Sequence, residues 1–145
     1  MKALIVYDSQ FGNTGKLAGA MADAISGDAA ARLASETSTS DLEGVDLLVV
    51  GSPTQAGRPT KAVQSFLKGV SGPTKVAVFD TRMSVKFAKI FGYAADRMAK
   101  TLQRQGSTLV APAEAFYVLD REGPLKEGEA ERAAEWARRL QSAVG

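Results

Sequence analysis

The chain has 145 residues, 45% of them hydrophobic, enough to bury one core and too few for two ordinary domains, so a single domain over 1–145 is expected. It contains no Cys and no His, which excludes disulfides, structural zinc, thiol nucleophiles, Ser-His-Asp catalysis and any imidazole acid or base. A formal charge of +2 without Arg/Lys runs interleaved with aromatics argues against nucleic acid, and the lack of a long apolar run or signal-peptide layout argues for a cytoplasmic protein off the membrane.

In chain order, "ALIVY" (3–7) predicts a first strand, followed by the loop "DSQFGNT" and a helix over 14–26. "AARLA" (30–34) is the second strand and 38–44 a short, weaker helix. "DLLVVG" (46–51) is the third strand, leading through "GSPTQAGRPT" into a helix over 60–70. "KVAVFD" (75–80) and "STLVA" (107–111) supply the fourth and fifth strands, with helices expected over 93–105 and 127–143. The last helix gathers Ala130, Ala133, Ala134, Trp136, Ala137, Leu140 and Val144 on one face, with acids early and Arg138 and Arg139 late, as the helix dipole favours.

Continuous apolar strands suit a sheet covered on both sides, and their alternation with helices predicts a doubly wound α/β sandwich. Ligands of such sheets bind beyond the carboxyl ends of the strands, which directs attention to loops 8–14, 52–60 and 80–92. Redox chemistry, if present, must come from a bound cofactor; a magnesium site built from carboxylates alone stays open.

In the first loop Ser9 and Thr14 offer hydroxyls, Gly12 permits close backbone approach, and Asn13 or Thr14 is placed to cap the following helix. An anion at that helix start would gain about 0.3–2 kcal/mol from the dipole. No Lys or Arg lies between positions 8 and 15, so a phosphate would rest on neutral donors. The ATP-type loop G-x-x-x-x-G-K-[ST] fails at Gln10 and Leu17, and G-x-G-x-x-G fails for want of a glycine at 10. Gly15 and Gly19 are expected to let the helix lie close to the sheet.

"SQFGNT" resembles the phosphate loop of flavodoxins, usually [ST]-x-[ST]-G-N-T after the first strand. Ser9, Gly12, Asn13 and Thr14 match, while Phe11 stands where the family usually has a hydroxyl. The resemblance runs the length of the chain and is to short-chain members. It implies a three-layer sandwich with a five-stranded parallel sheet in the order 2-1-3-4-5, and FMN held at Ser9, Gln10, Phe11, Gly12, Asn13 and Thr14.

By the same resemblance "GSPT" opens the loop that flanks one side of the flavin, with Pro53, Thr54, Gln55, Ala56 and Gly57 beside the ring. The family commonly carries a Trp or Tyr here, and this chain does not. In the third loop, Asp80, Thr81 and Arg82 would close the site, with Tyr93 the stacking candidate and Phe87 and Phe91 its competitors. Arg58, Lys61, Arg82, Lys86 and Lys89 form a basic rim where flavodoxins are typically acidic. Such a rim would favour reduced, anionic flavin and attract an acidic redox partner protein or NAD(P)H. The implied role is electron transfer through FMN. The alternatives are an FMN-dependent NAD(P)H:quinone-type reductase, favoured by the open second loop, and an interaction module that has lost FMN.

Overall fold

A computed structural model of the chain describes residues 1–83 and 92–145. The elements run β1 (Lys2–Tyr7), α1 (Asn13–Ala24), β2 (Asp28–Leu33), β3 (Leu47–Pro53), α2 (Lys61–Leu67), β4 (Lys75–Met83), α3 (Ala94–Arg104), β5 (Thr108–Leu109), β6 (Glu114–Val118) and α4 (Glu129–Val144). The helix expected over 38–44 is instead a pair of short 3-10 turns, Ala34–Glu36 and Thr39–Leu42. Ser38 and Asp41 close a capping box on the second, and this Ser/Thr/Asp-rich stretch satisfies its backbone locally rather than by a continuing helix.

All paired strands are parallel, in the order β2-β1-β3-β4 with the fifth position shared by β5 and β6. The strand expected over 107–111 therefore stops at Leu109 and resumes as "EAFYV". Between the Val76↔Leu109 and Phe79↔Glu114 pairings the outer chain carries two more residues than β4. Pro112 sits in this bulge, where its missing N–H costs no ladder bond. The resumption carries the outer edge up to Met83↔Val118, at the carboxyl end of the sheet.

Alternation along the central strands splits the core in two. Ile5, Val49 and Phe79 face α1 and α4, against Leu17, Met21, Trp136 and Leu140. Val6, Val50 and Val78 face α2 and α3, against Phe66, Met98 and Leu102. On the first face Phe79, Phe116 and Trp136 meet edge to face, with centroids 5.8–6.0 Å apart. Gly51 makes room for that cluster, since a Cβ there would lie 2.0 Å from the Phe79 ring. Of the two glycines expected to bring α1 close, Gly15 does so, its added Cβ meeting Tyr7 at 3.3 Å, whereas Gly19 faces open space. On α4, Ala130 is exposed and Glu129 takes a buried place instead, accepting a 2.8 Å hydrogen bond from the Tyr117 amide.

Candidate functional site

The loops after β1, β3 and β6 and the end of β4 converge at one end of the sheet around a cavity of about 520 Å3, within the range of small-molecule sites. The first loop contributes Gln10, Phe11, Asn13 and Thr14, and the second Pro53, Thr54, Gln55 and Ala56. The end of β4 adds Thr81, Arg82 and Met83; Val118 and Arg121 come from β6 and the turn after it. Ser9, Gly12, Gly57, Asp80 and Tyr93 are not among the lining residues.

The first loop owes its shape to Gly12, whose φ of 91° lies in the left-handed region that glycine enters without a Cβ penalty. Capping differs from expectation: neither Asn13 nor Thr14 caps α1. The Ser9 hydroxyl reaches over the turn and accepts the Gly15 amide at 3.2 Å. Asn13 donates its Nδ2 to the Glu122 carbonyl at 3.2 Å, and Thr14 Oγ1 lies 2.9 Å from Thr81 Oγ1, both hydroxyl residues being buried. With Ser9 spent on Gly15, the amides of Gln10, Phe11, Gly12, Asn13 and Thr14 have no acceptor among the described residues. Five consecutive unpaired N–H groups at the positive end of a helix form a neutral anion cradle. The Phe11 side chain is 40% exposed beside it.

The second loop is a tight hairpin. Gln55 and Arg58 exchange both backbone hydrogen bonds, at 2.9 and 3.0 Å, around Ala56 and Gly57, whose φ values are 49° and 81°. Positive φ at both central residues is the signature of a type I′ turn. Ala56 holds this conformation with a Cβ, at a cost of about 1 kcal/mol. Gln55 Nε2 donates to Gln10 Oε1 at 2.9 Å, tying the first two loops together. Gly57 is buried behind the turn, which explains its absence from the cavity wall.

Asp80 stands behind the third wall with no exposure at all. Its carboxylate accepts Arg82 Nε and Nη2, both at 2.7 Å, Thr54 Oγ1 at 3.1 Å and the Ala95 amide at 2.9 Å. Thr54 in turn accepts the Ala94 amide at 3.1 Å, so Asp80 and Thr54 together satisfy the start of α3. Burial works to lower the Arg82 pKa, but the hydrogen bonds and charge of Asp80 outweigh it and hold the guanidinium above its ordinary value. Arg82 also covers Tyr93, its Cζ 3.4 Å from the ring centroid. Tyr93, expected as a stacking ring, borders a second cavity of about 1000 Å3 between α2 and α3 instead. Its place there follows from position, since it immediately precedes α3, whose first amides Asp80 and Thr54 hold.

The basic rim is altered in the same way. Lys86 and Lys89, like Phe87 and Phe91, lie outside the described residues. Arg82 is neutralised by a buried carboxylate, whereas Arg58 and Lys61 are exposed. Arg121, which the sequence pattern does not single out, lines the cavity, whereas Arg58 and Lys61 do not. Its turn follows β6, and a strand missed in the sequence hides the loop that it supports. Among the described residues no group of three or more His, Cys, Asp or Glu is placed to hold a metal.

A family model described as a flavodoxin domain matches residues 4–112. Comparison with curated proteins returned no match. Among solved structures, oxidised flavodoxin 1 from Bacillus cereus superimposes with a TM-score of 0.83 at 19% identity, over 100% of both chains. A flavodoxin from the domain Archaea gives 0.82 at 19% identity over 99% of each chain. The two-electron reduced flavodoxin of Megasphaera elsdenii gives 0.73 at 21% identity, over 94% of this chain and 98% of its own.

Proposed function

The chain belongs to the flavodoxin domain family, and from that premise we propose that it binds FMN without a covalent link and carries electrons through it. The observation that carries this reading is the run of five unpaired amides from Gln10 to Thr14 at the wall of a ligand-sized cavity. A phosphate monoester fits that donor set, because it presents several acceptors and needs no metal or lysine when enough N–H groups converge.

On this reading the first loop takes the phosphate. Thr14 and Thr81 supply hydroxyls further in, and Pro53 to Ala56 flank the ring on one side. Asp80 and Gly57 act from behind the wall, one by fixing Arg82 and the other by shaping the turn. FMN, when bound, supplies the electron acceptance and release that no side chain here provides. The chain's own residues bind it, orient it and exclude water from it. Two of the similar proteins named above are described by redox state, one oxidised and one two-electron reduced, which supports a redox role for this one.

Titration of the purified protein with FMN tests the reading: saturable quenching of flavin fluorescence, followed by reversible reduction of the complex, is expected. Protein that leaves free FMN unquenched at tens of micromolar would end it.

The electron-transfer partner in this reading is a protein with an acidic surface or NAD(P)H, drawn by exposed Arg58, Lys61 and Arg121. A reductase is the second reading, favoured by a second loop without an aromatic ring, whose Gln55 and Ala56 are exposed. Steady NADPH oxidation by the FMN-loaded protein would select it. The reading places the protein in the cytoplasm, to be checked by fractionation. Among the described residues no helix is long and apolar enough to cross a membrane.

A further inference from the structure

The phosphate loop contains no cation, and Phe11 displaces a hydroxyl from it. A neutral cradle alone leaves a phosphate dianion without a counter-charge. The structure offers one from a different part of the chain. Arg121 stands in a turn in which the Gly123 amide donates to the Asp120 carbonyl at 3.0 Å. That turn is closed at its base, since Leu119 N donates to the Pro124 carbonyl at 2.9 Å and Lys126 N to the Tyr117 carbonyl at 2.8 Å. Asn13 pins the turn to the first loop through the Glu122 carbonyl, and a Cβ on Gly123 would lie 2.8 Å from Asn13 Oδ1. Arg121 is therefore carried by a braced turn packed against the amide cradle.

Among the described residues, two with a cationic side chain line the cavity. Arg82 is bound to Asp80 at 2.7 Å and exerts little net field. The Arg121 side chain has no hydrogen bond or ion pair among the described residues. Asp120 and Glu122 flank it in sequence, but Asp120 Oδ1 accepts the Arg121 amide at 2.8 Å and neither acid lines the cavity.

We propose that Arg121 is a phosphate-binding residue: it supplies from the turn after β6 the positive charge that the first loop lacks, and so selects a phosphorylated flavin over an unphosphorylated one. The inference rests on the FMN reading. A guanidinium placed beside a dianion forms charge-assisted hydrogen bonds, and partial exposure limits their worth to about a tenfold effect on affinity.

The test compares FMN with riboflavin, which shares the ring and ribityl chain but lacks the phosphate. Wild-type protein, Arg121→Gln and Arg121→Lys are titrated with each flavin, with thermal melts of the apoprotein confirming that the exposed substitution leaves the fold intact. Arg121→Gln should weaken FMN about tenfold and leave riboflavin unchanged, and Arg121→Lys should recover most of the loss. Raising the salt concentration should weaken FMN binding more steeply in wild type than in Arg121→Gln, because a screened charge pair is what the variant has lost. Equal weakening of both flavins, or an unchanged preference for FMN, would overturn the assignment while leaving the FMN reading standing. Wild-type protein that binds neither flavin would overturn both.

Discussion

Asp80 and Arg82, two residues apart on β4 and so on the same side of the strand, form a two-pronged ion pair in which the carboxylate is fully buried. The pair links three parts of the site: Thr54 of the second loop, the start of α3, and the β4 wall of the cavity. It also changes the electrostatics. An arginine that sequence alone assigns to a basic rim is cancelled by an acid two residues away, so among the described residues the field on this side comes from Arg58, Lys61 and Arg121.

The pair should behave as a unit. Removing one partner leaves the other charge unpaired, so Asp80→Asn and Arg82→Gln are each expected to cost about 3–5 kcal/mol. The double variant should cost less than the sum, by about 0.5–3 kcal/mol. Urea unfolding of the four proteins measures this coupling. Strict additivity would mean that the two residues act independently of one another.

Gly51 is expected to tolerate no side chain. Its Cβ would sit 2.0 Å from the Phe79 ring, which Phe116 and Trp136 lock from two sides. Gly51→Ala should destabilise the fold by at least about 1–3 kcal/mol through overpacking. Adding Phe79→Leu, which shortens the clashing group, should make the alanine less costly than it is in the wild-type background. A melt of Gly51→Ala that matches wild type would show that the ring has room to move.

The central strands were legible because their apolar runs are continuous and each face has helices to cover it, as "LLVV" at 47–50 shows. The first loop was legible because glycine and small polar residues follow such a strand directly. What escaped has physical reasons. "EAFYV" lies at the sheet edge after Pro112, begins with a charged residue, and buries only Phe116 fully. With that strand unseen, nothing in the sequence carries the turn bearing Arg121 to the carboxyl end of the sheet. Asp80 as the keeper of Arg82 was unreadable for a different reason: its other partners, Thr54 and the Ala95 amide, are distant in sequence and meet it only in the folded sheet. Tyr93 stands just before α3, where the sequence also begins that helix, but its contact with Arg82 belongs to the folded sheet and not to any local pattern.

Asn13 and Thr14 both face the cavity, but each also holds a neighbouring element. Asn13→Ala and Thr14→Ala should each weaken FMN by roughly 1–3 kcal/mol through lost or unpaired hydrogen bonds. Thr14→Ala also strands the buried Thr81 hydroxyl, so it should lower the stability of the apoprotein by about 1 kcal/mol. Isothermal titration and apoprotein melts separate the two effects. Unchanged FMN affinity in both variants would remove the first loop from the phosphate site.

Glu129 should set part of the acid sensitivity of the fold. Its carboxylate takes Arg132 Nε and Nη2, each at 2.8 Å, and the Tyr117 amide, so it tethers α4 to β6 just below the turn that bears Arg121. The hydrogen bonds from Arg132 lead in lowering its pKa below the ordinary carboxylate value; burial opposes them, and the Tyr117 amide and the Arg132 charge add to the lowering. A group depressed in the folded state stabilises above its unfolded pKa, about 4.3 for glutamate. That contribution is lost as pH falls through the lower folded value, when the unfolded chain takes up the proton more readily. Unfolding free energies measured from pH 7 to pH 3 should therefore fall on the acid side. In Glu129→Gln they should start lower at pH 7 and fall less steeply below about pH 4.3. If the variant follows the wild-type slope throughout, Glu129 is not the group that titrates.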